Sequence, residues 1–130
     1  MARARSRIAQ ARYRVDIRAG THDLIADEGP ELGGLDAGPA PYELLLAALG
    51  ACTSITLKMY AERKGWPLEA LEVALHLVKS EGDEKIERRL TAFGALEPTQ
   101  LARLAEIAEK TPVTLTLKSG LPIETHLRAG

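Results

Sequence analysis

Asparagine is absent from the chain, and glutamine occurs only at Gln10 and Gln100. So amide-poor a composition, rich in Arg, Glu and Leu, fits a hot or GC-rich source. Cysteine occurs once, at Cys52, which excludes an internal disulfide and a cysteine-built zinc site. Neither sign of charge dominates: 17 Lys and Arg stand against 18 Asp and Glu, so no global field recruits nucleic acid or an anionic membrane. No uninterrupted apolar run reaches the roughly 18 residues that span a bilayer. Nor does an apolar stretch follow Arg3, Arg5 and Arg7, so the N-terminus does not read as an export signal. With one thiol and no export signal, the expected compartment is the reducing cytoplasm. His22, His76 and His126 lack ligand spacing, so neither a metal nor a cofactor is expected. Gly33, Gly34 and Gly38 lack the strand-before, helix-after context of a dinucleotide loop.

What is present is enough for one domain over residues 1–130. Residues 1–10 are basic and read as a frayed, solvated arm; a nucleic-acid role is set aside because no aromatic is interleaved and no second basic stripe follows. Tyr13 to Arg18 alternates with period two and predicts a strand, with Thr21 to Ala26 as its hairpin partner across Ala19-Gly20. Residues 27–41 form a long loop punctuated by Gly and Pro. Pro41 opens a helix that Arg63, Lys64 and Gly65 close, with Pro67 beyond. Its first half is apolar on every side, which predicts burial all round, in a core or against a second subunit.

Leu71, Val73, Leu75 and Leu77 predict a strand, with His76 on its polar face, and residues 85–96 return beside it after the turn at 80–83. Pro98 starts a second helix that Pro112 ends. Val113 to Lys118 is ambiguous, with β-strand propensity, and Leu121 to Leu127 reads as a last strand. Trp66 reads as a packing anchor at the helix end. This order of elements indicates α+β with antiparallel sheet.

Cys52 is the residue on which function turns. On a helix it shares a face with Leu45, Ala48, Leu49, Ile55, Thr56 and Met59. Glu43, nine residues back, is about 900° away and points to the opposite side. A thiolate reacts where a thiol does not, and it needs a cation or a helix N-terminus beside it. Mid-helix, Cys52 has neither from its own element, so an arginine from elsewhere must supply the charge. By periodicity alone Cys52 reads as a small core hydrophobe.

The string Gly38-Pro39-Ala40-Pro41-Tyr42-Glu43-Leu44-Leu45-Leu46-Ala47-Ala48-Leu49-Gly50-Ala51-Cys52 resembles the OsmC/Ohr family of thiol-dependent hydroperoxide reductases. His22-Asp23-Leu24, Asp27-Glu28, Gly33-Gly34 and the run from Leu104 to Val113 add to the likeness, which covers about Tyr13 to Leu127. The resemblance implies an OsmC-like α+β fold: antiparallel sheets wrapped around long central helices in an intertwined homodimer. It also implies a site at the subunit interface, in which the helix cysteine attacks a peroxide and becomes a sulfenic acid. A second cysteine just before Pro-Val then closes a disulfide.

Here Thr111 occupies that second position, so an external thiol reductant has to resolve the sulfenic acid. The hydroperoxide reductase branch places Glu directly after the helix-opening Pro; here Tyr42 stands there and Glu43 follows. Its arginine lies after the first strand, where Arg18 is the nearest candidate. The resemblance thus implies Cys52, Glu43 and Arg18 as catalytic residues acting on a small organic hydroperoxide in a cytoplasmic stress response. The alternative is a non-catalytic homodimer that binds a small hydrophobic ligand at its interface. Neither reading involves nucleic acid or membrane.

Overall fold

The computed structural model describes residues 1–130 and divides into two compact units, residues 1–47 and 48–130. In the N-terminal unit, β1 (Ala4–Ile8), β2 (Val15–Ala19) and β3 (His22–Ala26) form an antiparallel meander in the order β1-β2-β3. The expected frayed arm is therefore a strand over Ala4–Ile8, in register with β2 from Ala4↔Ala19 to Ile8↔Val15. Its alternation of Arg5 and Arg7 with Ala4, Ser6 and Ile8 has the period of two that a strand needs. Gly20, at φ +62, opens the two-residue turn between β2 and β3, a backbone state glycine adopts without strain.

The long loop after β3 is organised by Asp27, whose side chain accepts hydrogen bonds from the backbone N–H groups of Glu28 (2.8 Å), Leu35 (3.3 Å) and Ala37 (3.1 Å). Gly34 is required there because a Cβ would lie 1.9 Å from the Glu28 carbonyl oxygen. The Ala37 N–H bond is the main cause holding the Asp27 carboxyl below its ordinary range; burial opposes it, and the Glu28 and Leu35 bonds and the charge of Arg14 assist. A lowered carboxylate contributes stability above its unfolded value of about 3.9, and that contribution is lost as pH falls through the folded value. Asp27→Ala is accordingly expected to raise proteolytic cleavage within residues 28–38 at pH 7 several-fold. Wild type should show the same sensitivity only below about pH 4. Equal cleavage of both proteins at neutral pH would remove Asp27 as the organiser of the loop.

Helix α1 (Pro41–Lys64) has the predicted limits. At its start Ala40 N–H donates to Glu43 Oε1 at 2.9 Å, half of a capping box. At its end Gly65 takes φ +70, with Gly65 N–H on Glu62 O and Trp66 N–H on Ala61 O, the Schellman pattern. One correction concerns length. By length and composition alone this helix is long and apolar enough to cross a membrane, although no uninterrupted apolar run is.

In the C-terminal unit, β4 (Ala70–Ser80) and β5 (Asp83–Phe93) form a long hairpin, in register from Ala70↔Phe93 to Ser80↔Asp83. α2 (Pro98–Ala108) follows, opened by Gln100 Oε1 accepting from Glu97 N–H at 2.8 Å. α3 (Pro112–Ser119) comes last. The core gathers Leu57 of α1 with Leu104 and Ala108 of α2, and Tyr60, Trp66, Leu71, Leu90, Leu96 and Ile107 pack against it. Trp66 is the anchor expected, edge-on to Tyr60 with centroids 5.5 Å apart.

Two expectations are corrected here and one ambiguity is resolved. Pro112 does not end α2, which stops at Ala108; it opens α3 at a first-turn position where its missing N–H costs nothing. Val113 to Lys118 is helix, because the buried hydroxyl of Thr114 is bound by side chains of other elements and tertiary contacts override β propensity. Leu121 to Leu127 has no regular structure, and Leu121, Ile123 and Leu127 are 69%, 86% and 97% exposed. An alternating segment becomes a strand only when another strand accepts its backbone hydrogen bonds.

Candidate functional site

Cys52 lies in the middle of α1 and is partly buried. Its sulfur has two polar neighbours. Thr56 Oγ1, one turn on, is at 3.9 Å, as the helix spacing requires. The second comes from another element: the backbone N–H of Val113, in the first turn of α3, points at Sγ with N···S 3.5 Å. The helix N-terminus missing from α1 is thus supplied by α3, whose N–H groups and dipole favour negative charge. Thr111, the N-cap residue of α3, is fully buried. The Val113 contact therefore brings the segment that carries position 111 to the thiol.

Beside Cys52, the hydroxyl of the fully buried Thr53 donates to Leu49 O at 2.7 Å and accepts from Arg88 at 3.0 Å. Arg88 of β5 is the centre of a network. Its Nη1 also donates to Thr114 Oγ1 (2.8 Å), and its Nη2 donates to Ala108 O (2.9 Å) and Glu109 Oε2 (3.4 Å). Thr111 and Thr114 share a hydrogen bond of 2.6 Å between hydroxyls. A single guanidinium, with a side chain 10% exposed, thus ties α1, the end of α2 and the start of α3 together. Its countercharge is peripheral. Glu109 is 60% exposed and held below the usual carboxyl range chiefly by the Lys118 amine, against burial and with help from Arg88.

Arg88 was not singled out in the sequence, yet a signal existed. β5 alternates, and Ile86, Arg88 and Leu90 sit opposite Leu77, Leu75 and Val73 of β4. An arginine at an apolar register position is a charge that must find buried partners. The other two candidates lie in the N-terminal unit. Glu43 is engaged by the Ala40 N–H at the start of α1. Arg18 donates to Thr21 O at 3.2 Å and pairs with Asp23 at 3.4 Å. Cys52 has its contacts within the C-terminal unit. No group of three or more His, Cys, Asp and Glu could hold a metal ion.

The architecture is shared with solved proteins. An OsmC-like protein from Mycoplasma pneumoniae is similar at 17% identity over 91% of this chain and 86% of that one, with a TM-score of 0.75. A putative osmotic stress induced and detoxification response protein from Psychrobacter arcticus is similar at 16% identity over 92% and 88%, with a TM-score of 0.75. The organic hydroperoxide resistance protein OhrB of Bacillus subtilis is 23% identical over 89% and 90%, with a TM-score of 0.60. At these identities the likeness is one of fold. No curated protein matches the chain. The model of the OsmC-like protein family matches residues 33–126, a span that includes Cys52, Arg88 and Thr111, and the chain belongs to that family.

Proposed function

We propose that the protein reduces organic hydroperoxides with Cys52 as its only redox cysteine, one OsmC-like domain per chain, working as a homodimer in the reducing cytoplasm. The observation that carries this reading is the Val113 N–H aimed at Cys52 Sγ, at 3.5 Å, from a helix N-terminus. That donor suits the negative sulfur that attacks a peroxide.

The thiolate attacks the outer oxygen of ROOH, an S–O bond forms and the O–O bond breaks. The departing alkoxide takes a proton to give ROH, and Cys52 is left as sulfenic acid. Because Thr111 has no sulfur, an external thiol R′SH displaces water to give a mixed disulfide. A second R′SH releases the Cys52 thiol as R′SSR′ leaves. Peroxide is reduced, two equivalents of R′SH are oxidised, and the cysteine is restored. Arg18 and Glu43 enter through the family resemblance alone, as the other two members of the catalytic set.

Exposure to one equivalent of cumene hydroperoxide is expected to add one oxygen to Cys52, trapped by a sulfenic-acid reagent and reversed by added dithiol. Cys52→Ser should lose both the adduct and peroxide consumption. A wild-type thiol that stays unmodified while the fold is intact would sink the reading.

In α1, Ala51, Ile55 and Met59, each four residues from the next, form a single apolar stripe, and Ile55 and Met59 are 55% and 60% exposed. A second copy covering that stripe explains why the helix lacks a polar face. Light scattering at micromolar concentration is expected to give twice the 14.1 kDa chain mass, through an interface above roughly 2,000 Å². Ile55→Glu should shift that mass toward the monomer. A monomeric wild type would end the dimer reading.

A second reading has its own support. A cavity of about 660 Å³ in the C-terminal unit is lined by Leu49, Leu77, Ile86 and Leu90 together with the charged Arg88, Glu109 and Lys118. Such a space suits a small hydrophobic ligand. Without peroxidase activity, that ligand is the function that remains.

A further inference from the structure

The sheet of the N-terminal unit sets arginines against each other. Register pairs Arg5 with Arg18 and Arg7 with Asp16 across β1 and β2, and Arg18 with Asp23 across β2 and β3. Residues paired in register share a face, so Arg5, Arg7, Asp16, Arg18 and Asp23 stand on one side of the sheet, and Arg14 joins them two residues before Asp16. The acids there are taken. Arg14 binds Asp16 Oδ1 through Nε and Nη2 at 3.3 and 3.2 Å, and Arg18 pairs with Asp23 at 3.4 Å. Arg5 and Arg7 have no acidic partner. Like charges directly opposite one another destabilise an antiparallel pair, so the Arg5–Arg18 juxtaposition works against the sheet unless an anion lies between them.

These four arginines and two aspartates line one concavity of about 750 Å³, whose wall also includes Ile25, Pro39 and Leu44. No second basic stripe follows the N-terminal arm along the chain; the meander creates one by folding Arg14 and Arg18 next to Arg5 and Arg7. The four cations exceed the two carboxylates by two, which matches a phosphate monoester at neutral pH, with a charge of about −1.5 to −2. Guanidinium forks bind phosphate oxygens in bidentate fashion. The lining has no aromatic ring on which a nucleic-acid base would stack. We propose that this concavity binds a small phosphate monoester, its phosphate held by Arg5, Arg7 and Arg18 and its apolar body lying against Ile25, Pro39 and Leu44. Cys52 and Glu43 do not line this concavity, which shares only Arg18 with the residues that the family resemblance assigns to peroxide chemistry.

The test uses the full chain and phenyl phosphate, with inorganic phosphate and phenol as controls, followed by calorimetry and thermal melting. Saturable binding of phenyl phosphate is expected at one site per chain, tighter than inorganic phosphate, with none for phenol. In Arg5→Ser/Arg7→Ser the affinity should fall about tenfold or more, equivalent to about 1.4 kcal/mol per decade. Without ligand this variant should melt no lower than wild type, since it removes a repulsion, and phenyl phosphate should raise the melting temperature of wild type alone. Absence of saturable binding up to about 10 mM, or equal affinity in the double variant, overturns the proposal. So does a single-stranded RNA that binds more tightly than phenyl phosphate and displaces it. A change of oligomeric mass in the double variant without any ligand binding also overturns it, and assigns the arginines to a contact between copies.

Discussion

Thr111→Cys is expected to convert the protein from an external-thiol mechanism to an internal-disulfide one. Position 111 is fully buried at the start of α3, and the N–H two residues later already touches Cys52 Sγ at 3.5 Å. A disulfide requires Cα atoms within about 7 Å, which places the expectation directly under test. One equivalent of cumene hydroperoxide should yield a mass two hydrogens lower than the dithiol form, with a peptide linking residues 52 and 111. The sulfenic adduct should no longer be trapped, because the new thiol intercepts it. Closing so long a loop should raise stability by on the order of 4 kcal/mol. Loss of the Thr111–Thr114 hydroxyl bond takes back about 1 kcal/mol. The oxidised variant should therefore melt about 10 °C above wild type. A trapped sulfenic acid at Cys52 with no disulfide would show that position 111 lies out of reach. It would leave the peroxidase reading intact while removing position 111 from it.

Arg88→Met is expected to lower stability by about 3 kcal/mol and the melting temperature by about 10 °C. The reason is the number of elements one side chain holds. Removing the guanidinium breaks bonds to Thr53, Thr114 and Ala108, and methionine offers no donor in return. The cost is limited because Thr53 keeps Leu49 O, and Thr114 keeps Thr111 and a 3.3 Å bond to Ala108 O. Arg88→Lys should recover only part of the loss, since an ammonium lacks the planar fork that reaches acceptors on α1, α2 and α3 at once. Glu109→Gln is the control. That pair is exposed on the acid side, so its loss should change stability by less than about 1 kcal/mol. If Arg88→Met melts within about 2 °C of wild type, the network does not hold the three helices. A fall as small as that of Glu109→Gln would assign Arg88 to a surface ion pair.

The sequence by itself determined those elements whose ends are written in backbone chemistry. Pro41 and Gly65 delimit α1 because proline fits a first helical turn and glycine a left-handed C-terminus. The β4–β5 hairpin was legible because Glu81 and Gly82, at φ +36 and +88, sit between two runs of alternating side chains. The lone thiol in the apolar helix was legible as the point of decision about function.

Tertiary structure decided the rest. Val113 to Lys118 carries strand propensity, yet it is helical because Pro112 fits the first turn and Thr114 finds Arg88, Thr111 and Ala108. Leu121 to Leu127 carries strand alternation, yet no strand of the described chain pairs with it. The N–H facing Cys52 comes from a residue 61 positions away, and Arg88 reaches Thr53 from 35 away. Local periodicity reports which face of an element is apolar. It carries no information about which distant donor that face will meet, because such contacts are set by how the elements pack and not by the order of their side chains.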